Sequence, residues 1–187
     1  GGRVIPAVTE NAFPALRLQR APVVETVAVG TLVLVLAAGL SRPWVQLPGV
    51  IWVTLLALAA AAHVVRLMLW QPLKTRRNPL LWMLPAAYAW IPIALALRAL
   101  AEAGEISPIA ATHALTIGAM SSLMLAMMMR SALGHTGRPL AAGPHEMAAF
   151  LLVQLAAIMR VFAGVIWPGS YQVTVMAAGV LWALAFG

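Results

Sequence analysis

Residues 108–129 read PIAATHALTIGAMSSLMLAMMM, a run without a single Asp, Glu, Lys or Arg. The hydrocarbon core of a bilayer takes about 20 such residues as a helix, so this run is long enough to span one. The same criterion picks out five more nearly uncharged runs, at 23–40, 45–69, 79–101, 146–166 and 171–187. Between them lie residues that break helices: Arg42-Pro43, Gln71-Pro72 through Asn78-Pro79, Gly104 to Pro108, Gly134 to Pro144, and Pro168-Gly169. The predicted fold is therefore all-α, a polytopic helical bundle of about six transmembrane spans forming one membrane domain in the lipid bilayer.

Composition agrees. Of 187 residues, 63% are hydrophobic and only 9% charged, and mean hydropathy is +0.92. Too few polar side chains exist to cover a water-facing exterior. The net charge of +7 does not point to nucleic acid, because the basic residues punctuate apolar runs and do not gather on one face. They are instead sided. Arg3, Arg17, Arg20, Arg66, Lys74, Arg76, Arg77, Arg130 and Arg138 fall on one side of the alternating spans, and Arg42, Arg98 and Arg160 on the other. Nine against three predicts that the Gly1 end and the loops at 70–78 and 130–145 face the cytoplasm. Cysteine is absent, which excludes disulfides, thiolate metal sites and thiol redox chemistry. Any metal must be held by His, Met, carboxylate or backbone oxygen. The chain opens at Gly1-Gly2 and closes inside an apolar run at Phe186-Gly187, so a fragment of a longer protein is expected. No signal-peptide pattern precedes the first strongly apolar run near Val23.

Histidine inside a span is costly and rarely faces lipid, so each one is a functional candidate. His63 lies in the second span and His113 in the fourth, while His135 and His145 lie in or beside the loop after it. At 100° per residue, His113, Thr116, Met120, Met124 and Met127 share one stripe of the fourth span. Ala114, Gly118, Ser122 and Ala126 run opposite at four-residue spacing, a small face that lets another helix approach closely. This small face is expected to pack against a half of the protein outside the chain. An imidazole above a ladder of thioethers suits haem or copper; it equally suits gap-filling core with His113 in an interhelical hydrogen bond. The second span repeats the theme with Trp52, Leu56, Ala59, His63 and Trp70 on one face and Arg66 at its edge. These fit a porphyrin with Arg66 on a propionate, or two interfacial tryptophans with a snorkelling arginine.

His63 and His113 are predicted to differ in depth by roughly 15 Å at 1.5 Å per residue. Two axial ligands of one iron stand only about 4 Å apart, so the two do not clamp the same metal. His135 and His145 are better placed to approach His63. In the loop, Gly134 is predicted to cap the fourth span and Pro139 to stop it. Arg130, Arg138 and two glycines around His135 can hold an anionic group, and a positive-inside turn has the same composition. The third span carries Pro85 and Pro92 on one face, which release the carbonyls of Leu81 and Tyr88.

The stretch His113-Ala-Leu-Thr-Ile-Gly-Ala-Met120, continued by Arg130-Ser-Ala-Leu-Gly-His-Thr-Gly-Arg-Pro-Leu140, resembles the NnrS family of bacterial membrane proteins, as does the opening Gly1-Gly-Arg-Val-Ile-Pro6. The resemblance implies a multi-pass protein of the bacterial cytoplasmic (inner) membrane that contains haem and copper and is linked to the nitric oxide response or denitrification. It implies a chain about twice as long with about twelve spans, of which this is the second half. The absent first half carries a further His-rich motif, so a complete cofactor site is not expected here. Within the matching motifs, His113, His135 and Arg138 carry over as site residues, while His63 rests on the span argument alone.

Three functional classes follow. The first is a haem/copper protein that binds, processes or protects against nitric oxide or a related small ligand. The second is a transporter for a small anion or metal complex, which the paired prolines and intramembrane histidines also fit. The third is an assembly subunit that packs through the Gly118 face. No paired-carboxylate, Ser-His-Asp or phosphate-loop motif is present, so whether the protein is an enzyme stays open.

Overall fold

The computed structural model describes residues 4–12, 18, 21–163, 166 and 168–187. Gly1, Gly2, Arg3, Arg17 and Arg20, which enter the charge and motif arguments above, lie outside the described residues. Among the described residues there is helix and no strand. The elements are α1 (Val4–Ala12), α2 (Pro22–Ser41), α3 (Gly49–Leu69), α4 (Pro79–Glu102), α5 (Pro108–His135), α6 (Pro144–Ala163) and α7 (Tyr171–Phe186). A single 3₁₀ turn, Pro72–Thr75, interrupts the loop after α3.

Five helices, α2 to α6, are long and apolar enough to cross a membrane, and α7 is a shorter apolar helix of 16 residues. Four of the five begin on a proline at the first helical turn: Pro22, Pro79, Pro108 and Pro144. The missing proline N–H would be unsatisfied there anyway, and its fixed φ already suits a helix. Ser107 caps α5 by accepting from the Ile109 N–H, and Glu146 reaches back to accept from the Gly143 N–H. The short helix α1 has no counterpart among the expected spans; Ile5 and Thr9 on it are buried, Ile5 against the cluster of Leu84, Tyr88 and Phe150.

Helix α4 is the central element and the most enclosed of the spans, with Pro85 and Pro92 both buried within it. α3 packs on one side of it and α2 packs outside α3; on the other side lie α5, then α6, then α7. At the end of the bundle expected to face outward, Glu102 accepts from Arg42 (2.7 Å) and from Arg98 (3.0 Å), and the Arg42 guanidinium stacks over Trp52. This cluster brings the ends of α2 and α4 to the same side, as the alternation of spans requires.

Candidate functional site

Polar groups gather at three levels in the bundle. The first is built on His63, only 1% exposed. Its Nε2 lies 3.1 Å from the Ala28 carbonyl of α2. A carbonyl only accepts, so Nε2 carries the proton and the neutral ring's Nδ1 is an acceptor. Tyr88 of α4 donates its hydroxyl to that Nδ1 and accepts from Arg66 Nη1 at 3.2 Å. Arg66 in turn grips Glu25 of α2 through Nε at 2.9 Å and through Nη2. The Trp70 ring closes the cluster against Tyr88, 4.6 Å between centroids.

Both nitrogens of His63 are thus occupied. The stripe of Trp52, Leu56, Ala59, His63 and Trp70 is buried, packed against α2 and α4. Trp70 is enclosed in place of anchoring an interface. Arg66 is 7% exposed, its charge met by the part-exposed Glu25 carboxylate in the first turn of α2. Tyr88 joins His63 to Arg66, and Glu25 joins the cluster through Arg66; in the sequence the visible signal is Glu25, the one acid within the first apolar run.

The second level centres on the small face of α5. Ala114, Gly118, Ser122 and Ala126 are all buried, within this chain. Gly118 lies beneath the Trp90 ring of α4, so the close approach allowed by a missing side chain is taken up by α4 and not by a segment outside the chain. Trp90 Nε1 donates to Gln154 Oε1 of α6 (2.7 Å), and Gln154 Nε2 donates to Ser122 Oγ (2.9 Å). The neighbouring Ser121 accepts from Trp182 Nε1 of α7 at 3.1 Å. Two adjacent serines therefore tie α5 to its neighbours.

The third level is a groove of about 340 Å³ between α5, α6 and α7, lined by Thr116, Met120, Arg160, Ala178, Gly179 and Trp182 among others. Residues Ala114–Ser121 of α5 and Met159–Ala163 of α6 are wound as π-helix, and both segments border it. Such segments recur at functional sites. The winding also redraws the expected stripe, since 100° per residue does not hold through a segment bonded from i to i+5. Thr116 and Met120 reach the groove, while Met124 and Met127 face outward from the bundle. His113 sits half-buried one turn from Thr116, makes no hydrogen bond among the described residues, and lies within electrostatic reach of Arg160.

The loop residues differ from expectation. α5 continues past 129 through His135, which occupies its last turn and is exposed. The capping glycine is Gly137 (φ +65°) and not Gly134. The Gly137 N–H donates to the Gly134 carbonyl (3.3 Å) and the Arg138 N–H to that of Leu133 (3.0 Å), the paired bonds of a Schellman end. Arg138 and His145 are exposed.

Residue counting along antiparallel α4 and α5 sets the relative depths. Gly118 is level with Trp90, and His63 with Tyr88, so His113 stands roughly 10 Å nearer the outer side than His63. The described residues bring no three His, Asp or Glu side chains together around a metal. His113 would offer a metal or haem one imidazole from this set. The set does not fit a complete copper centre, which needs several converging donors.

No curated protein and no solved structure matches the sequence. A family model described as NnrS protein matches residues 1–187. The chain, an all-helical membrane bundle, belongs to the NnrS family.

Proposed function

We propose that this chain is part of a haem- and copper-containing protein of the bacterial inner membrane that serves the response to nitric oxide or denitrification, and that His113 is its metal ligand. The supporting observation is the contrast between two intramembrane histidines. His63 has both nitrogens committed to Tyr88 and Ala28, whereas His113 makes no hydrogen bond among the described residues and precedes Thr116, a groove residue, by one helical turn. An imidazole held in an apolar span without a partner is costly, and coordination removes that cost. A haem iron or copper bound there supplies an open position for a neutral diatomic ligand. In this proposal α5 would hold the imidazole at the start of its π-wound segment, within electrostatic reach of Arg160. His135 and Arg138, exposed at the inner end, bind cofactor in this proposal only together with residues beyond the described ones.

The test is an oxidised and dithionite-reduced absorption spectrum with metal analysis of the full-length protein. A Soret band that is lost or shifted in His113→Ala, and changed less in His145→Ala, is the expected result. Both metals retained with an unchanged spectrum would return His113 to packing, and a colourless, metal-free, folded preparation would favour transport of a small anion or metal complex instead.

A further inference from the structure

We infer that the groove between α5, α6 and α7 binds an anionic phospholipid, with the phosphate on Arg160 and an acyl chain along α7. This does not depend on the metal proposal. Arg42, Arg66 and Arg98 each meet a carboxylate, and Arg160 meets none among the described residues. Its Nη2 donates to the Tyr171 hydroxyl at 3.0 Å and its guanidinium stacks over that ring at 5.0 Å. These contacts fix the head of the side chain and leave its charge uncompensated. Arg160 lies near the end of α6, on the side of the Arg42–Glu102 pair by the alternation of spans, so its charge stands close to headgroup depth.

The rest of the groove calls for hydrocarbon. The Thr116 hydroxyl is spent on the Thr112 carbonyl, and Ser121 donates to the Thr116 carbonyl while accepting from Trp182. What remains beyond Arg160 is Met120, Val175, Ala178 and Gly179, an apolar trough open enough that a Cβ built on Gly179 meets nothing within 4 Å. A ligand matched to this shape carries an anionic group at one end and an apolar body behind it. A free anion would satisfy Arg160 but leave the trough unfilled.

The experiment uses the full-length protein, delipidated in mild detergent and titrated by native mass spectrometry with phosphatidylglycerol or phosphatidylcholine of the same acyl composition. Phosphatidylglycerol should bind about tenfold tighter, the value of one charge-assisted pairing. Arg160→Gln should bring it down to the phosphatidylcholine level, and Arg160→Lys should keep most of the preference. Gly179→Leu should weaken both lipids about tenfold without lowering the unfolding midpoint, because leucine favours a helix and the space is open. Equal binding of the two lipids by the unaltered protein, or a preference that survives Arg160→Gln, overturns the inference. So does inorganic phosphate that competes as tightly as phosphatidylglycerol, since it assigns Arg160 to a free anion.

Discussion

Replacing Gly118 by alanine tests the tightest contact in the bundle. A Cβ at this position would stand 2.4, 2.5 and 2.7 Å from three carbons of the Trp90 ring, where carbon contacts prefer about 3.5–4.0 Å. The ring must retreat by about 1 Å, and it is held on its far side by the 2.7 Å bond from Nε1 to Gln154, itself bonded to Ser122. Overpacking of this kind costs about 1–3 kcal/mol. Losing the indole bond adds about 1 kcal/mol, and the gain in helix propensity from Gly to Ala returns up to about 1 kcal/mol. The net expectation is a loss of about 2–3 kcal/mol in SDS-induced unfolding of the detergent-purified protein, followed by far-UV circular dichroism. Trp90→Leu removes the obstructing ring, so Gly118→Ala should cost at least 1 kcal/mol less in that background. Wild-type stability in Gly118→Ala, or strict additivity of the two changes, would refute the packing argument.

Tyr88→Phe removes the hydroxyl that serves both His63 and Arg66, and should cost about 1–3 kcal/mol in the same assay, because a buried acceptor is left unpaired. No loss would mean that Tyr88 does not bridge them. Glu25→Gln removes the counter-charge of Arg66 and, with Glu25 part exposed, should cost about 1–2 kcal/mol while loosening α2; proteolysis in the 42–48 loop, faster than in the unaltered protein, checks it. Gly134 and Gly137 should respond oppositely. Gly134→Ala, inside α5 with open space around it, should gain about 0.5–1 kcal/mol, whereas Gly137→Ala, at φ +65°, should lose about 1 kcal/mol. Thermal melts of the pair that rank them the other way would move the helix end back to Gly134.

Span positions were legible because a bilayer imposes one length and one polarity on every crossing, and 22 uncharged residues such as 108–129 admit little else. Helix ends were less so. Gly134 and Gly137 are equivalent as letters, and only the bonds from Gly137 and Arg138 back to Gly134 and Leu133 decide which one turns the chain. The two faces of α5 were visible from four-residue spacing, but not which face would find a partner within the chain. That depended on Trp90, whose indole needs both a flat bed and a hydrogen-bond acceptor, and finds them in Gly118 and Gln154. His63 was singled out correctly as an intramembrane imidazole. Its partners were hidden because Ala28 contributes a backbone carbonyl, which no side-chain pattern records.

The division between saturated and unsaturated polar groups is what separates scaffold from candidate site in this chain. In hydrocarbon, a polar group without a partner carries its full desolvation cost, so the fold pairs nearly everything it encloses. His63, Tyr88, Arg66 and Glu25 satisfy one another across α2, α3 and α4; Trp90, Gln154 and Ser122 do so across α4, α5 and α6. α2 packs through Leu32, Val35 and Ala38 on the cluster of Trp52, Leu56 and Leu95, and these ionic and imidazole bonds add a polar attachment nearer its start. Gln71 Oε1 and Asn78 Oδ1, buried in the loop after α3, have no partner among the described residues, and within the spans the half-buried His113 and Arg160 stand apart. Arg160 lines the groove from the π-wound end of α6, and His113 lies one turn before Thr116 of the same groove; among the described residues the imidazole has no hydrogen bond and the guanidinium no carboxylate. Arg160 ties α6 to α7 through Tyr171 but keeps an unmatched charge, which an anion suits, while a metal suits the imidazole. Function is therefore to be sought near the outer end of α5 and α6, while substitutions around His63 should be read first as losses of scaffold.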